Sequence, residues 1–243
     1  MHSPRVENYV KAIYLLAARD GENGAVSTGE VAQTLAVAPS SASCMFKLLA
    51  ESGLVIHKPH ERGRLTPAGE RLALTILRRH RLLESFLSRT LGMSWDEVGE
   101  EADRLEHTVS DHLLERIDIL LGHPQLDPHG DPIPRADRSM REPDGRPLSQ
   151  LSPGERFRVV RVIEQDTSFL RYLAECGLLL DAEAELVENR PEAGALSVRV
   201  DDHAMVLGLE AAAKVLTHPP ISAGDRAARR RSGTDTETVR IGG

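Results

Sequence analysis

The length, composition and charge of the chain exclude several classes of protein. Its 243 residues, 40% of them hydrophobic and 28% charged, are too many for one minimal module and too apolar for a disordered chain. No apolar run reaches the roughly 18–20 residues that cross a bilayer, and a net charge of −7 argues against a general nucleic-acid binder.

The first third of the chain is predicted to combine short helices with one hairpin. Apolar spacing predicts a helix over residues 4–19, and Ser27 with Glu30 has the pattern of a capping box at the start of the second helix. Pro39 suits the first turn of a third helix. The later elements are the third helix to about Ser52, a hairpin of residues 54–56 and 64–66, and a helix from Thr66-Pro67 to about Leu91. This order is that of a winged helix-turn-helix.

The rest of the chain is predicted to change from helix to sheet. A long helix is expected from about Trp95 to Leu121, followed by a linker rich in proline and glycine over residues 123–154. The next elements are a strand at 156–163, a helix at 167–175, strands near 184–190, 195–200 and 204–207, and a disordered tail from Pro219. The predicted fold is therefore mainly α with a C-terminal β-barrel.

The distribution of charge and the cysteine count indicate a partner and a compartment. Residues 1–79 hold 10 Lys and Arg against 7 Asp and Glu, whereas the remainder is strongly acidic. A mildly basic first third fits an anion-binding module joined to a part that attracts cations. Cys44 and Cys176 cannot form a disulfide scaffold, and no apolar leader follows the first residues, so we expect a cytoplasmic protein without membrane contacts.

Two clusters of metal-ligating residue types lie on predicted helices. His80 and Glu84 are four residues apart on the fourth helix, and Asp103, Glu106 and His107 share one face of the next. Facing each other, the two helices could supply five donors to one or two divalent ions. For either cluster alone, the alternative is a solvated helix face or an intrahelical ion pair.

The linker holds a third and weaker candidate. Asp127 and His129 lie two residues apart, with a proline between them that stiffens the chain. Asp-Pro and His-Gly are also common in ordinary loops, so the pair alone does not establish a metal site.

Sequence signatures of enzymes are absent. The chain contains no G-x-x-x-x-G-K-[ST], G-x-S-x-G, H-E-x-x-H or G-x-G-x-x-G motif. A metalloenzyme fused to a helix-turn-helix remains an alternative, but catalysis needs an open coordination position and these clusters have enough ligands to close a shell. We therefore expect a binding protein and no catalytic residues.

The third helix is predicted to read DNA. Its outward face is small and polar, which would let it enter the ~12 Å major groove, while basic residues on the hairpin would meet phosphates. The residues predicted to contact DNA are Thr28, Pro39, Ser40, Ser41, Ser43, Lys47, Lys58, Arg62 and Arg64. The alternative is that this domain mediates protein contacts.

Five segments spread along the chain match a known pattern. They are 35–41 (LAVAPSS), 53–55 (GLV), 65–69 (LTPAG), 79–84 (RHRLLE) and 105–107 (LEH). In this order they resemble the diphtheria-toxin-repressor family of metal-dependent transcription regulators, over about residues 5–218. Within the family the chain is most similar to the manganese-responsive members, through 95–98 (WDEV) and 127–134 (DPHGDPIP).

The resemblance implies a division into three domains. These are a winged helix-turn-helix DNA-binding domain, a helical metal-binding and dimerisation domain, and an SH3-like (FeoA-like) domain. The corresponding segments are 1–75, 76–140 and 155–218, with a linker at 141–154 and the tail at 219–243.

The resemblance also implies two metal sites in each subunit. The implied primary site consists of Asn8, His80, Asp103, Glu106 and His107, and the implied ancillary site consists of Glu84, Asp127, His129 and Glu164. Iron-sensing members have cysteine in place of Asp103 and methionine in place of Asn8, so the harder donors here favour Mn²⁺ over Fe²⁺. Gly99 stands where many members have a histidine ligand.

These expectations combine into one mechanism. Without metal, Asp103, Glu106 and Glu84 are expected to repel one another and to leave the first helix loosely held. A divalent ion would neutralise them and fix the two recognition helices of a homodimer for a palindromic double-stranded operator. The predicted dimer contacts are Val109, Leu113, Ile117 and Leu120. We therefore expect a metal-dependent repressor of metal homeostasis, with an Fe²⁺-responsive repressor or a winged-helix regulator with an organic effector as alternatives.

Overall fold

A computed structural model of the chain describes residues 2–20, 24–58, 61–141, 144–201 and 203–220. They divide into two units: unit 1 comprises 1–83, 102–125 and 133–141, and unit 2 comprises 84–101, 126–132 and 142–243. The tail from residue 221 lies outside the described residues. None of the helices in the described ranges has the length and apolarity needed to span a membrane.

Unit 1 begins with the predicted helices and hairpin. The observed elements are α1 (Pro4–Asp20), α2 (Thr28–Thr34), α3 (Pro39–Glu51), β1 (Val55–Ile56), β2 (Arg64–Leu65) and α4 (Pro67–Leu91), whose residues after Leu83 belong to unit 2. Each predicted element of this region is confirmed to within one or two residues. Apolar side chains from α1, α2, α3 and the hairpin form one core, in which Ile13, Phe46 and Leu49 are fully buried.

The start of α2 is a complete capping box. The Ser27 hydroxyl accepts a hydrogen bond from the backbone N–H of Glu30 at 3.2 Å, and the Glu30 carboxylate accepts one from the backbone N–H of Ser27 at 2.6 Å. The same carboxylate lies 3.1 Å from the guanidinium of Arg62, next to β2. One acidic side chain therefore holds both the helix start and the hairpin.

Replacing Ser27 with alanine should lower the free energy of unfolding by about 1 kcal/mol, because a helix N–H loses its acceptor. Urea unfolding followed by circular dichroism measures this change. The control is Thr34→Ala at the exposed end of the same helix. Equal urea midpoints for the two variants would show that the cap does not stabilise the chain.

The predicted single helix from Trp95 to Leu121 is wrong. The structure has two helices, α5 (Val98–Leu105) and α6 (Asp111–Leu120). The chain is interrupted because Ser110 caps α6, its hydroxyl accepting a hydrogen bond from the backbone N–H of Leu113 at 3.2 Å. Glu106 consequently lies in the turn after α5 and not on a helix face.

Unit 2 is built on a six-stranded antiparallel sheet with order β3-β8-β4-β5-β6-β7. Its elements are β3 (Arg146–Pro147), β4 (Arg156–Val162), α7 (Thr167–Glu175), β5 (Glu183–Arg190), β6 (Ala195–Val200), β7 (His203–Gly208), α8 (Leu209–Ala213) and β8 (Val215–His218). Phe157, Leu173, Leu186 and Trp95 are buried in its core.

The predicted barrel is not closed. Within the described residues, the edge strands β3 and β7 pair only with β8 and β6 respectively. β3 is two residues long and includes Pro147, which has no N–H to donate to another strand. The linker is irregular as predicted over much of its length, but it supplies β3 and a short 3₁₀ turn at Leu148–Gln150.

Candidate metal centres

The first candidate centre, the unit 1 cluster, consists of His80, Asp103 and Glu106. His80 comes from α4, Asp103 from the last turn of α5, and Glu106 from the turn that follows. One potential ligand atom of each residue lies within 4.8 Å of the others. The Nδ1 atom of His80 is 2.8 Å from Glu106 Oε2 and 3.3 Å from Asp103 Oδ1. The structure therefore brings together three of the five residues implied for a primary site.

A lysine that the sequence analysis missed also enters this cluster. The ammonium group of Lys11, on α1, donates to Asp103 Oδ1 at 2.8 Å and to both oxygens of Glu106 at 2.7 and 2.8 Å. Only 14% of the Lys11 side chain is exposed. The expectation that Asp103 and Glu106 repel each other in the metal-free protein is therefore wrong, because a cation already lies between them.

The pKa values of Lys11 and Asp103 favour their charged forms. Burial alone would lower the pKa of Lys11, but the carboxylates of Glu106 and Asp103 outweigh it and raise that pKa above its ordinary value. Burial opposes ionisation of Asp103, yet its contacts with His80 and Lys11 hold its pKa well below the usual range. At neutral pH the Lys11 ammonium therefore faces an ionised Asp103 carboxylate.

His107 and Asn8 adjoin the unit 1 cluster without completing it. The two ring nitrogens of His107 each lie 2.7 Å from an acceptor oxygen, Nδ1 from Glu7 Oε2 and Nε2 from Asn8 Oδ1. Nε2 is also 3.4 Å from Glu106 Oε1. Glu7 is buried, and the sequence analysis missed it. Its spacing on α1 gave a signal, since Glu7, Asn8 and Lys11 share one helix face.

The second candidate centre, the unit 2 cluster, consists of Glu84, Asp127 and His129. All three residues are 1% exposed, and one potential ligand atom of each lies within 4.8 Å of the others. The Nδ1 atom of His129 is 3.5 Å from Glu84 Oε1. The structure thus groups Glu84 with the linker pair, whereas His80, four residues earlier on α4, belongs to the unit 1 cluster.

Neighbouring groups fix the orientation of His129. Its Nε2–H donates to the backbone carbonyl of Trp95 at 2.6 Å, its ring stacks on the Trp95 indole at 6.0 Å between centroids, and its backbone N–H donates to Asp127 Oδ1 at 2.8 Å. The buried Nδ1 atom has no hydrogen-bond partner in the described part of the chain. With Nε2 carrying the proton, Nδ1 presents a lone pair to the two carboxylates.

The loop that carries His129 lies directly on the sheet. The backbone carbonyl of His129 accepts a hydrogen bond from the backbone N–H of Val162, on β4, at 2.9 Å. Gly130, the next residue, has a φ of +85°, and a Cβ placed there would lie 2.1 Å from the carbonyl oxygen of Val160. Only glycine fits this approach.

Neither Glu164 nor Gly99 contributes a ligand to the unit 2 cluster. Glu164 is absent from the unit 2 cluster, and its Oε2 lies 3.8 Å from the Lys214 ammonium. Gly99 faces the cluster, since a Cβ there would lie 3.6 Å from Glu84 Oε1, but glycine has no side chain to offer.

Four of the nine predicted DNA-contacting residues border one groove of unit 1. Thr28, Ser43, Lys47 and Arg62 line a groove of about 610 Å³ beside α3. The exposed predicted residues are Pro39, Ser40, Ser43, Lys47, Lys58, Arg62 and Arg64, and the half-buried ones are Thr28 and Ser41.

Arg62 is exposed like the other basic residues, but its side chain is bound to other groups of the protein. Its Nε donates to the Ala25 carbonyl at 3.0 Å and its guanidinium pairs with Glu30. Lys47 is exposed on α3 and is therefore the better placed of the two to meet a phosphate.

The residues predicted to form the dimer contact are not all accessible. Leu113 and Leu120 are 51% and 65% exposed, whereas Ile117 is 5% exposed. Val109 is partly buried against unit 1 core residues. Ile119, which the prediction omitted, is 53% exposed. Ile117 points inward because α6 turns one face to its own core, so the exposed apolar face consists of Leu113, Ile119 and Leu120.

Comparison with protein families finds three matches along the chain. Residues 1–62 match the N-terminal DNA binding domain of the iron dependent repressor, residues 66–135 match its metal binding and dimerisation domain, and residues 146–219 match the FeoA domain.

Individual proteins agree with these family matches. The diphtheria toxin repressor of Corynebacterium efficiens is 30% identical over 195 residues, which cover 76% of this chain and 83% of the relative. The transcriptional regulator MntR of Lysinibacillus sphaericus is 32% identical over 48% of this chain and 81% of its own length.

Solved structures extend the similarity to the fold. A manganese-dependent transcriptional repressor in complex with manganese has 41% identity and a TM-score of 0.79, covering 88% of this chain and 99% of its own. The manganese regulator SloR has 30% identity and a TM-score of 0.73, covering 90% of this chain and all of its own.

Proposed function

The chain belongs to the iron-dependent repressor family, and from this premise we propose that it is a repressor activated by Mn²⁺ that binds operator DNA as a homodimer. In this proposal residues 1–75 bind DNA, residues 76–140 supply metal ligands and the dimer contact, and residues 155–218 form the FeoA-like domain. Mn²⁺ binding is the event that controls DNA affinity.

The unit 2 cluster is the observation that carries the metal proposal. Two carboxylates and an imidazole lie together in a buried position, and these are donor groups that divalent ions bind. The oriented Nδ1 atom of His129 adds an imidazole donor whose other nitrogen is fixed by the Trp95 carbonyl. Glu84, Asp127 and His129 therefore suit a divalent ion, which would join α4 to the 126–132 loop.

The unit 1 cluster supports a second ion in each subunit. His80, Asp103 and Glu106 offer the same combination of one imidazole and two carboxylates. A divalent ion held there would connect α4 to the end of α5. Because Lys11 contacts both carboxylates, the two clusters are not equivalent.

The donor types favour Mn²⁺ over softer metals. Each cluster combines carboxylate oxygens with one imidazole, and neither Cys44 nor Cys176 belongs to a cluster. Carboxylate-rich sites suit Mn²⁺, whereas thiolates would favour zinc and related ions. The manganese-dependent neighbours at 41% and 30% identity support the same choice. Fe²⁺ accepts these donors too and is the second candidate effector.

A homodimer explains how metal binding would be passed to DNA. The exposed apolar face of Leu113, Ile119 and Leu120 is the proposed contact between subunits. Two-fold symmetry would place two copies of α3 in successive major grooves of a palindromic operator, with half-sites about 34–36 Å apart or at a multiple of that distance. Metal ions that fix α4 and α5 would set this separation.

Replacing Lys47 with glutamine should weaken operator binding and reduce the slope of log affinity against log salt by about one unit, as expected for one lost phosphate contact. Fluorescence anisotropy on a labelled duplex over a range of salt concentrations measures the slope. Lys214→Gln is the charge-matched control, since Lys214 lies in unit 2. A Lys47 variant with the wild-type slope would exclude this contact.

The single tryptophan provides the test of the proposed function. Trp95 is the only tryptophan in the chain and stacks on His129, so its emission should change as Mn²⁺ fills the unit 2 cluster. Affinity for duplexes selected from a random pool should rise over the same Mn²⁺ range. The proposal fails if Mn²⁺ alters neither signal, and an anaerobic titration in which only Fe²⁺ acts would favour the iron-responsive alternative.

A further inference from the structure

The ammonium group of Lys11 occupies the centre of the unit 1 cluster. It contacts Asp103 Oδ1 and both Glu106 oxygens at 2.7 to 2.8 Å. These are the same carboxylates that, with His80, could hold a metal ion. An ammonium and a divalent ion cannot both lie between these oxygens, because like charges at such short range repel strongly.

Lys11 is also a partner that the cluster cannot lose without cost. The Glu106 side chain is fully buried, and the Lys11 side chain is largely so. Removing one member of a buried ion pair leaves an uncompensated charge, which is strongly destabilising. Lysine therefore stabilises the metal-free protein at the position where a metal would stabilise the loaded protein.

Metal entry into the unit 1 cluster therefore has a definite cost. The divalent ion must displace the Lys11 ammonium from Asp103 Oδ1 and from both oxygens of Glu106, which breaks three short contacts. The unit 2 cluster can be followed separately, because the Trp95 indole stacks on His129.

We propose that Lys11 is a built-in competitor of the metal ion, which holds Asp103 and Glu106 in the metal-free protein and must leave before a divalent ion can bind to unit 1. This inference rests on the proposed function and adds to it the residue that lowers the metal affinity of unit 1. We call the ion of unit 2 the first ion and the ion of unit 1 the second ion.

The first test compares Lys11→Gln with the wild type. Equilibrium dialysis with Mn²⁺ gives the affinity for each ion, and Trp95 emission identifies the ion that enters unit 2. We expect Lys11→Gln to bind the second ion about tenfold more tightly and to leave the Trp95 titration unchanged. Its metal-free form should also melt at a lower temperature than the wild type, with a larger upward shift on adding Mn²⁺.

Two control variants separate competition from general electrostatics. Arg19→Gln removes the same charge from an exposed position on α1, and Lys11→Arg keeps the charge inside the cluster. Neither variant should tighten binding of the second ion. The proposal is overturned if Lys11→Gln binds the second ion no more tightly than the wild type, or if Arg19→Gln gives the same increase.

A measurement on the unaltered protein covers the case in which Lys11→Gln does not fold. Acetic anhydride labels accessible lysine amines, and mass spectrometry reports the labelling of each one. Lys11 should be protected without metal and should become severalfold more reactive as the second Mn²⁺ binds, while Lys214 stays constant. Continued protection of Lys11 with two ions bound would overturn the proposal. Loss of the Trp95 response would instead count against the proposed function.

Discussion

Replacing His129 with alanine is expected to weaken binding of the first Mn²⁺ by about 100-fold or more and to abolish metal-dependent DNA binding. The variant removes the only nitrogen donor of the unit 2 cluster and leaves two buried carboxylates. Loss of a group that merely orients a ligand costs 10–100-fold in metal affinity, so loss of the ligand itself should cost at least as much. Equilibrium dialysis measures the affinity, since the change at His129 also alters Trp95.

The matched control for this variant is His203→Ala. His203 is exposed on β7 in the same unit, so its loss should affect neither Mn²⁺ affinity nor DNA binding. If His129→Ala retained wild-type affinity for the ion of unit 2, the unit 2 cluster would not be a metal site.

Replacing Gly130 with alanine is expected to destabilise unit 2 by about 3 kcal/mol, combining the strain of a positive φ with a backbone clash. The new Cβ would lie 2.1 Å from the Val160 carbonyl oxygen and 2.8 Å from the Arg161 Cα. Strand β4 cannot move away without disturbing the sheet, so the 126–132 loop would have to shift and take Asp127 and His129 with it. Urea unfolding should show the loss of stability, and Mn²⁺ affinity should fall with it.

Gly154→Ala separates the two causes. Gly154 has the same φ of +85°, but an added Cβ there meets no atom within 4 Å. The Gly154→Ala variant should therefore lose about 1 kcal/mol of unfolding free energy, which is the effect of the left-handed conformation alone. Equal losses for the two variants would show that the contact with β4 does not matter.

The sequence predicts the N-terminal part of unit 1 well because its signals are local. The apolar spacing of α1, the Ser27–Glu30 capping box and Pro39 at the start of α3 all depend on residues within one or two turns. The break between α5 and α6 was missed because apolar residues keep a helical spacing across the turn before Ser110.

The sheet of unit 2 is harder to predict. β3 and β8 are short and pair with each other across 71 residues, as in the hydrogen bond from the Thr217 hydroxyl to the Arg146 carbonyl. Neither strand has enough residues to show a period of two. The remaining strands have six to eight residues and were all predicted.

In the candidate clusters, too, spacing within one helix could be predicted from the sequence, whereas contacts between distant segments could not. Helical spacing selected His80 and Glu84 as one pair, but the structure assigns them to different clusters because Asp127 and His129 approach Glu84 from a loop. Lys11 was missed for a chemical reason. A protonated amine has no lone pair to offer a metal ion, so lysine is not among the residue types that indicate a metal site.

The position of Lys11 also bears on how the protein is made. Many small metal-binding domains, zinc fingers among them, stay unfolded until their ion binds. In this chain the Lys11 ammonium is part of the sequence and can pair with Asp103 and Glu106 as soon as unit 1 folds. Under the proposed function, newly made chains would therefore fold in a cell that lacks the metal and remain available as sensors until the ion returns.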